Sequence, residues 1–558
     1  MPAELQGVGV SAGVAVGPVA LVGGEVPVPP EGGEVTDPAA EGRAIVQALE
    51  AVAADLEERG RAAGGEAQAV LEAQAMMARD PGLAEQAERL ARGGRTAARA
   101  VYEAFGVYRK LLGGAGDYMA ARVADLDDIR DRTVARLLGV PMPGVPDPGH
   151  PFVLVARDLA PADTATLRPD RVLALITEEG GPTSHTAILA KSMGVPAVVA
   201  CAGATGLAEG VQVLVDGGAG QVVVEPDQAR LDAAETRAAA RQAARAAFVG
   251  LGRTSDGHHV GLLANVGGPG DVEAAVAAGA EGVGLFRSEF LFLDRADPPP
   301  VAEQAAAYRA VFEAFPGGKV VVRTLDAGAD KPLAFLDLGD EPNPALGVRG
   351  LRAVRRRPEL LSGQLDAIAQ AAAGSPAEVW VMAPMVATAE EASWFCAQLR
   401  DRPVAKAGVM IEIPAAALMA EAVLAEADFA SLGTNDLAQY LFAADRLVGA
   451  LAALQSPWQP ALLKLVAATA EAGLALGKPV GVCGEAAGDP VLALVLVGLG
   501  VTSLSMAPPS VGDVRMLLGR HSVDDCRRLA ELALAAPDAA TARAQVRGAT
   551  PVLGELGL

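Results

Sequence analysis

The string GGPTSHTAILA, residues 180–190, places a histidine at the start of an apolar run that is compatible with a helix. A strand-like segment at 172–177 precedes it, and Gly194 and Pro196 follow it as typical helix stop signals. The spacing therefore predicts a strand-to-helix turn with His185 in the first helical turn. Free N–H groups and the positive end of the helix dipole favour an anion there. Because imidazole is substantially neutral near pH 7, His185 is a candidate nucleophile that would carry a phosphoryl group.

A second set of chemically capable residues lies in the region after residue 259, where strand-like and helix-compatible runs alternate regularly. Eight runs are predicted to be strands: 260–265, 282–286, 319–323, 379–383, 408–411, 429–432, 480–483 and 502–505. Eight such units over about three hundred residues predict a (β/α)8 TIM barrel. Enzymes with this fold place their chemistry at the carboxyl ends of the strands.

Two arginines, two acids, an amide and a thiol stand at those ends: Arg287, Arg323, Glu412, Asp436, Asn435 and Cys483. Arginine forks bind phosphate, and two carboxylates from different strands suit a Mg²⁺ that keeps part of its water. A thiol can deliver a proton to carbon. Taken singly, each residue has an ordinary explanation as a surface ion pair, a helix cap or a packing residue. Packing alone, however, does not predict all of them at strand ends.

The remaining sequence divides into segments that must position these residues. Two short strand-like runs lie near the N-terminus, at 7–11 and 13–19, and others follow residue 150, whereas residues 39–138 have almost no strand signal. The last helix of that region is predicted at 117–138, because apolar residues repeat there at three and four. We therefore predict a multidomain α/β protein composed of a swivelling α/β domain (1–25 and 145–226), an α-helical insert (30–144), a linker helix (227–252) and a C-terminal (β/α)8 barrel (253–558).

Composition narrows the classes of partner and compartment. The formal net charge of -22 argues against nucleic acid or an anionic membrane as the main partner. Four scattered cysteines without a CxxC pair fit a reducing cytoplasm and argue against a structural zinc site. The N-terminus lacks the pattern of a signal peptide, and the apolar run at 490–501 is too short to span a bilayer. We therefore expect a soluble cytoplasmic protein.

Several motifs together resemble Enzyme I of the bacterial sugar phosphotransferase system, a family of phosphoenolpyruvate–protein phosphotransferases. Besides the His185 string, the resemblance rests on GLFRSEFLF at 284–292, NPALG at 343–347, MIEIP at 410–414, GTNDL at 433–437 and CGE at 483–485. It covers essentially the whole chain in order, so it also implies the family's fold.

The resemblance implies a role for each motif residue. Phosphoenolpyruvate would bind at the barrel rim through a set of polar side chains, namely Arg287, Arg323, Asn435, Arg446 and Arg349. Glu412 and Asp436 would hold Mg²⁺. His185 would attack the phosphorus, Cys483 would protonate the enolate to give pyruvate, and Thr164 would orient the histidine.

The resemblance also implies partners. The helical insert would dock the phosphocarrier HPr, which accepts the phosphoryl group, and the barrel would form a homodimer. Three places depart from the family pattern: Leu447-Val448 stand where Gly-Asn is usual after Asp-Arg, Lys191 where arginine is usual, and Gln74 where histidine is common.

Two other functions are compatible with parts of the sequence. A dikinase of the pyruvate phosphate dikinase or phosphoenolpyruvate synthase type shares the histidine domain and the barrel, but it needs an ATP-grasp domain. A catalytically silent regulator would only bind HPr, and the intact set of candidate catalytic residues argues against that.

Overall fold

The computed structural model describes the chain except for residues 1–3, 24–25, 34, 64–73, 114–116, 141–143, 147, 160–166, 168–169, 182–184, 294, 329–332, 337, 340, 342, 446–448 and 557. For some further helical residues, His185 among them, it describes the backbone only. The chain forms two compact units. One comprises residues 1–15, 179–200 and 214–558, and the other comprises residues 16–178 and 201–213.

The secondary structure outside the barrel mixes short strands with helices. The strands are β1 (Glu4–Gln6), β2 (Val8–Ser11), β3 (Val14–Leu21), β4 (Phe152–Ala156), β5 (Val172–Thr177), β6 (Ala197–Val199), β7 (Gln212–Asp216) and β8 (Gln221–Val224). The helices are α1 (Pro38–Ala63), α2 (Pro81–Arg92), α3 (Ala97–Gly113), α4 (Asp117–Leu138), α5 (His185–Met193) and α6 (Gln228–Ala247).

The barrel region alternates strands and helices. Its strands are β9 (Gly261–Val266), β10 (Gly282–Arg287), β11 (Lys319–Arg323), β12 (Glu378–Ala383), β13 (Lys406–Ile411), β14 (Ala430–Leu432), β15 (Val480–Val482) and β16 (Ser503–Met506). Its helices are α7 (Val272–Ala277), α8 (Val301–Glu313), α9 (Leu351–Arg356), α10 (Pro358–Ala372), α11 (Ala389–Leu399), α12 (Pro414–Leu418), α13 (Ala420–Glu426), α14 (Thr434–Phe442), α15 (Pro460–Leu476), α16 (Pro490–Gly498), α17 (Pro508–Leu518), α18 (Val523–Ala535), α19 (Ala539–Gly548) and α20 (Val552–Leu556).

The unit of residues 16–178 and 201–213 contains helices α1 to α4, and their apolar faces bury a common core that includes Ile45, Leu56, Phe105 and Ile129. The predicted helical character of this region is confirmed over the described residues, and α4 has the predicted bounds. Short polar segments set the helix ends. For example, Asp80 accepts a hydrogen bond from the N–H of Leu83 at 3.1 Å, with proline at the first helical position. In the same unit β3, β4 and β5 pair in parallel.

The other unit contains the predicted barrel, which is confirmed as a closed ring of eight parallel strands, β9 to β16. Each strand lies within two residues of its predicted bounds. Apolar side chains from both faces of these strands are buried, which explains their nearly continuous apolar runs. No helix among the described residues has the length and apolar character needed to cross a membrane.

This unit also contains α5 and α6, with strand pairs β1–β8 and β2–β6, both antiparallel. Helix α5 begins at His185, as predicted, and ends before Gly194, whose φ of 68° is the left-handed conformation typical of a helix stop. Asp227 caps α6, and Arg241 and Arg245 of α6 form ion pairs with Asp513 of α17.

Candidate active site

Arg323, the last residue of β11, is buried at the carboxyl end of the barrel and is surrounded by acids. Its Nη2 forms an ion pair with Glu289, and its Nη1 lies 3.3 Å from Asp326 Oδ2. Burial alone would lower the pKa of this arginine, but Glu289, Asp326 and Glu412 outweigh burial and raise it. The guanidinium is therefore a fixed cation. Its Nε is buried without a hydrogen-bond partner among the described residues.

Arg349 is a second buried arginine, 1% exposed, and it ties two barrel segments together. Its Nε and Nη2 donate to the two carboxylate oxygens of Asp326 at 3.2 and 3.1 Å. Its Nη1 donates to Asp436 Oδ1 at 3.1 Å and to the hydroxyl of Tyr440 at 3.3 Å. Since the guanidinium fork is occupied by carboxylates, Arg349 contributes to the site by holding Asp326 and Asp436 in place.

Glu412, which follows β13, is fully buried, and its two carboxylate oxygens differ in their contacts. Oε1 accepts from the N–H of Met385 at 2.6 Å, whereas Oε2 has no partner among the described residues. Burial raises the pKa of Glu412 to about 8, and the neighbouring acids Asp436 and Asp326 add to the shift. A Cβ at Gly433 would lie 2.6 Å from Oε2, so only glycine fits beside that oxygen.

Cys483 follows β15 and is buried at the base of the same site. Its Sγ lies 3.6 Å from the carbonyl oxygen of Leu432. Burial raises the pKa of the thiol to about 11, so the sulfur carries a proton at neutral pH. The next residues are held tightly: the N–H of Glu485 donates to Asn435 Oδ1 at 3.0 Å, and a Cβ at Gly484 would overlap Thr434.

Arg323, Glu412 and Cys483 line one cavity of about 440 Å³, whereas Arg349, predicted to bind substrate, is not among its lining residues. The predicted residues that line it are Arg287, Arg323, Glu412, Asn435, Asp436 and Cys483. Apolar side chains, among them Phe290 and Leu293, complete its wall. The cavity therefore offers arginines, acids and a protonated thiol to one small anionic ligand.

Three predicted residues cannot be placed in this way. Arg446 and Thr164 lie outside the described residues. For His185 the structure gives the helix position but not the side chain. Their roles stay predictions.

The acid pair Glu412 and Asp436 fits the Mg²⁺ that the resemblance implies. The described residues contain no group of three or more His, Cys, Asp or Glu side chains arranged as a metal site. Mg²⁺ commonly uses only one or two carboxylates and takes water and substrate oxygens for its other ligands. The buried, unpartnered Oε2 of Glu412 is the kind of donor that such a cation requires.

Sequence reasoning assigned no role to Glu289 and Asp326, the acids that neutralise the two buried arginines. Glu289 lies two residues after Arg287, and Asp326 lies three residues after Arg323. This position just after a strand end is the sequence feature that could have identified them as site residues. Glycines 433 and 484 were noted only as parts of motifs. Their lack of a side chain is a requirement that only the packing reveals.

Comparison with known protein families gives matches along most of the chain. Residues 241–523 match the model described as "PEP-utilising enzyme, PEP-binding domain", residues 148–220 the "mobile domain", and residues 6–122 the "N-terminal" domain of the same enzymes.

Three curated relatives carry the same printed name, phosphoenolpyruvate-protein phosphotransferase. The protein of Streptomyces coelicolor is 60% identical over 97% of this chain and 98% of its own length. That of Haloferax volcanii is 41% identical over 85% of each chain, and that of Geobacillus stearothermophilus is 40% identical over 75% of each.

Proposed function

The chain belongs to the phosphoenolpyruvate–protein phosphotransferase family, the Enzyme I component of the phosphotransferase system, and from this premise we propose how its residues divide the reaction. The chain transfers the phosphoryl group of phosphoenolpyruvate to a protein acceptor (EC 2.7.3.9). The observation that carries the assignment of residues is the cavity in which two arginines, an acid pair and a protonated thiol meet.

Phosphoenolpyruvate binds in this cavity with its phosphate on Arg287, Arg323 and Asn435. The unpartnered Nε of Arg323 supports this position, because a buried N–H without a partner is stabilised by an anionic acceptor. Arg446 adds a further contact to the substrate. Arg349 acts from behind, by holding Asp326 and Asp436.

Glu412 and Asp436 hold Mg²⁺, which when bound would offset the negative charge of the substrate. Asp436 is kept in place for this by Arg349, and Glu412 by the N–H of Met385. Glycine is required at position 433, because a Cβ there would clash with Glu412 Oε2.

Two side chains then react with the substrate: His185 accepts the phosphoryl group and Cys483 donates a proton. Nε2 of His185 attacks the phosphorus, oriented by Thr164, and the bond from phosphorus to the enol oxygen breaks with its electron pair on oxygen. The resulting enolate takes the proton of the Cys483 thiol at C3, and pyruvate leaves. The raised pKa of Cys483 supports this role, because the donor must hold its proton at neutral pH.

His185 finally passes the phosphoryl group to a histidine of HPr, docked on the helical insert at 30–144. Three further elements complete the proposal. The domain boundaries lie at 25, 145, 226 and 252, and the His185 domain swivels between donor and acceptor. The chain forms a homodimer through the barrel. All four cysteines are free thiols, which supports action in the reducing cytoplasm.

The test is labelling of the full chain with phosphoenolpyruvate that carries ³²P. We expect one acid-labile, alkali-stable label at His185 that HPr removes, and no label in His185→Ala. A label that survives acid, or that persists in His185→Ala, would overturn the assignment.

A further inference from the structure

An ion pair connects the helix of His185 with the loop of Cys483. Lys191 of α5 has its Nζ 3.7 Å from Glu485 Oε2, and each side chain is 24% exposed. Both residues belong to the unit formed by residues 1–15, 179–200 and 214–558. Because ion pairs at the surface usually contribute little to stability, the position of this pair matters more than its strength.

Both partners are rigidly attached to catalytic segments. Glu485 lies two residues after Cys483, and its N–H is bonded to Asn435. Lys191 lies six residues after His185 on one helix, which is about 9 Å of helix rise. The pair therefore joins the element that starts with the phosphate carrier to the loop that holds the proton donor.

A second contact supports close docking of α5. Gly194, which ends the helix, approaches Pro509 so closely that a Cβ on the glycine would lie 2.7 Å from the proline Cβ. Lys191 also lines a cavity of about 900 Å³ together with Arg287, Phe290 and Glu485. The last three residues line the substrate cavity as well. The charged end of α5 thus lies beside the substrate site.

We propose that Lys191 and Glu485 form a docking pair that holds α5 at the barrel rim during transfer from phosphoenolpyruvate, which makes Lys191 a positioning residue. This inference rests on the proposed function. It implies that the pair contributes to the half-reaction with phosphoenolpyruvate and not to the half-reaction with HPr. A direct role of the lysine cation in binding substrate would instead raise KM.

The experiment uses the full chain and measures single-turnover phosphorylation by phosphoenolpyruvate over a range of concentrations. With Lys191→Met we expect the maximal rate to fall roughly twofold to fivefold, as a partly exposed ion pair predicts, with KM little changed. Lys191→Arg should restore the rate. Lys464→Met, the same change at an exposed lysine of α15, is the matched control and should have no effect.

A charge swap tests the pair itself. Lys191→Glu should lower the maximal rate of phosphorylation by phosphoenolpyruvate more than tenfold, because two carboxylates then face each other. The double variant Lys191→Glu with Glu485→Lys should recover most of that rate. Phosphorylation by phospho-HPr should stay at the wild-type rate in every variant. No recovery in the swap, equal damage to both half-reactions, or a changed KM alone would overturn the docking role. Failure of the wild-type chain to be labelled at His185 would instead overturn the proposed function beneath it.

Discussion

The two ends of the barrel both carry charged side chains, buried at the carboxyl end and half-buried at the amino end, but they use them in opposite ways. At the carboxyl end four buried polar atoms lack hydrogen-bond partners among the described residues; they belong to Glu289, Arg323, Glu412 and Thr434. At the amino end Lys319 and Lys406 place their ammonium groups 4.7 and 4.6 Å from the ring centroid of Trp380. Lys319 also donates to Ser503 Oγ at 3.3 Å.

The difference shows which end is built for a ligand. None of the polar atoms of Lys319, Lys406, Trp380 or Ser503 is both buried and unpartnered. The ammonium groups of Lys319 and Lys406 lie over the aromatic ring of Trp380. At the carboxyl end, unsatisfied polar atoms cost stability, and a bound anion and cation would satisfy them. The same fold thus separates an end whose charged groups have partners within the protein from a reactive end.

The largest effect is expected at the carboxyl end, from Cys483→Ser. Loss of the acid that protonates carbon should slow the half-reaction with phosphoenolpyruvate by about 100-fold to 10,000-fold. Transfer between phospho-HPr and His185 should stay near the wild-type rate, since it needs no proton on carbon. Rapid-quench assays of each half-reaction measure this. Equal damage to both would indicate a structural role for the thiol.

Arg349→Met should affect stability most. It leaves Asp326 and Asp436 buried beside an apolar side chain, which should lower the free energy of unfolding by about 3 kcal/mol or more. The matched change Arg527→Met removes an ion pair whose partners are 64% and 79% exposed. It should alter the free energy of unfolding by less than about 0.5 kcal/mol. Denaturant unfolding followed by circular dichroism gives both values. A similarly small loss of stability in both variants would contradict the expected difference between the buried and the exposed ion pairs.

Glu412→Gln should raise the Mg²⁺ concentration needed for half-maximal phosphorylation about tenfold or more, because Glu412 can lose its proton when the cation binds and an amide cannot. Excess chelator should abolish phosphorylation of the wild-type chain, and added Mg²⁺ should restore it. Glu421→Gln, at an exposed acid of α13, is the control and should leave the requirement unchanged. Full activity of the wild-type chain in excess chelator would contradict the assignment of Glu412 as a ligand of a required metal ion.

At the amino end of the barrel, Lys319→Met should have the smallest effect of these substitutions. It should raise the stability of the chain, whereas Arg349→Met lowers it. Burial lowers the pKa of Lys319 to about 8, so the folded state releases this proton before the unfolded state does. Stability therefore rises from pH 8 towards the ordinary lysine pKa of about 10.4. Methionine should stabilise the chain by about 1 kcal/mol at pH 7, and this gain should shrink above pH 8. A loss at pH 7 in thermal unfolding would contradict this reasoning.

Local pattern was enough to predict the barrel, because strands buried on both faces have nearly continuous apolar runs. Strand β1 was missed, since Glu-Leu-Gln has a single apolar residue and is defined by pairing with β8. Rim residues could be predicted from their place after each strand. Their partners could not, because the contacts of Arg349 with Asp436 and Tyr440 cross long stretches of sequence. Sequence likewise gave no sign of the two lysines on Trp380.

Trp380 has a practical consequence for observing the protein in solution. The sequence contains three tryptophans, at positions 380, 394 and 458, and all of them lie in the unit that contains the barrel. The unit of residues 16–178 and 201–213 contains none. Intrinsic tryptophan emission will therefore follow the melting of one unit only, while the far-ultraviolet signal sums the helices of both units. The two optical signals together will show whether the units unfold as one cooperative system or in separate steps.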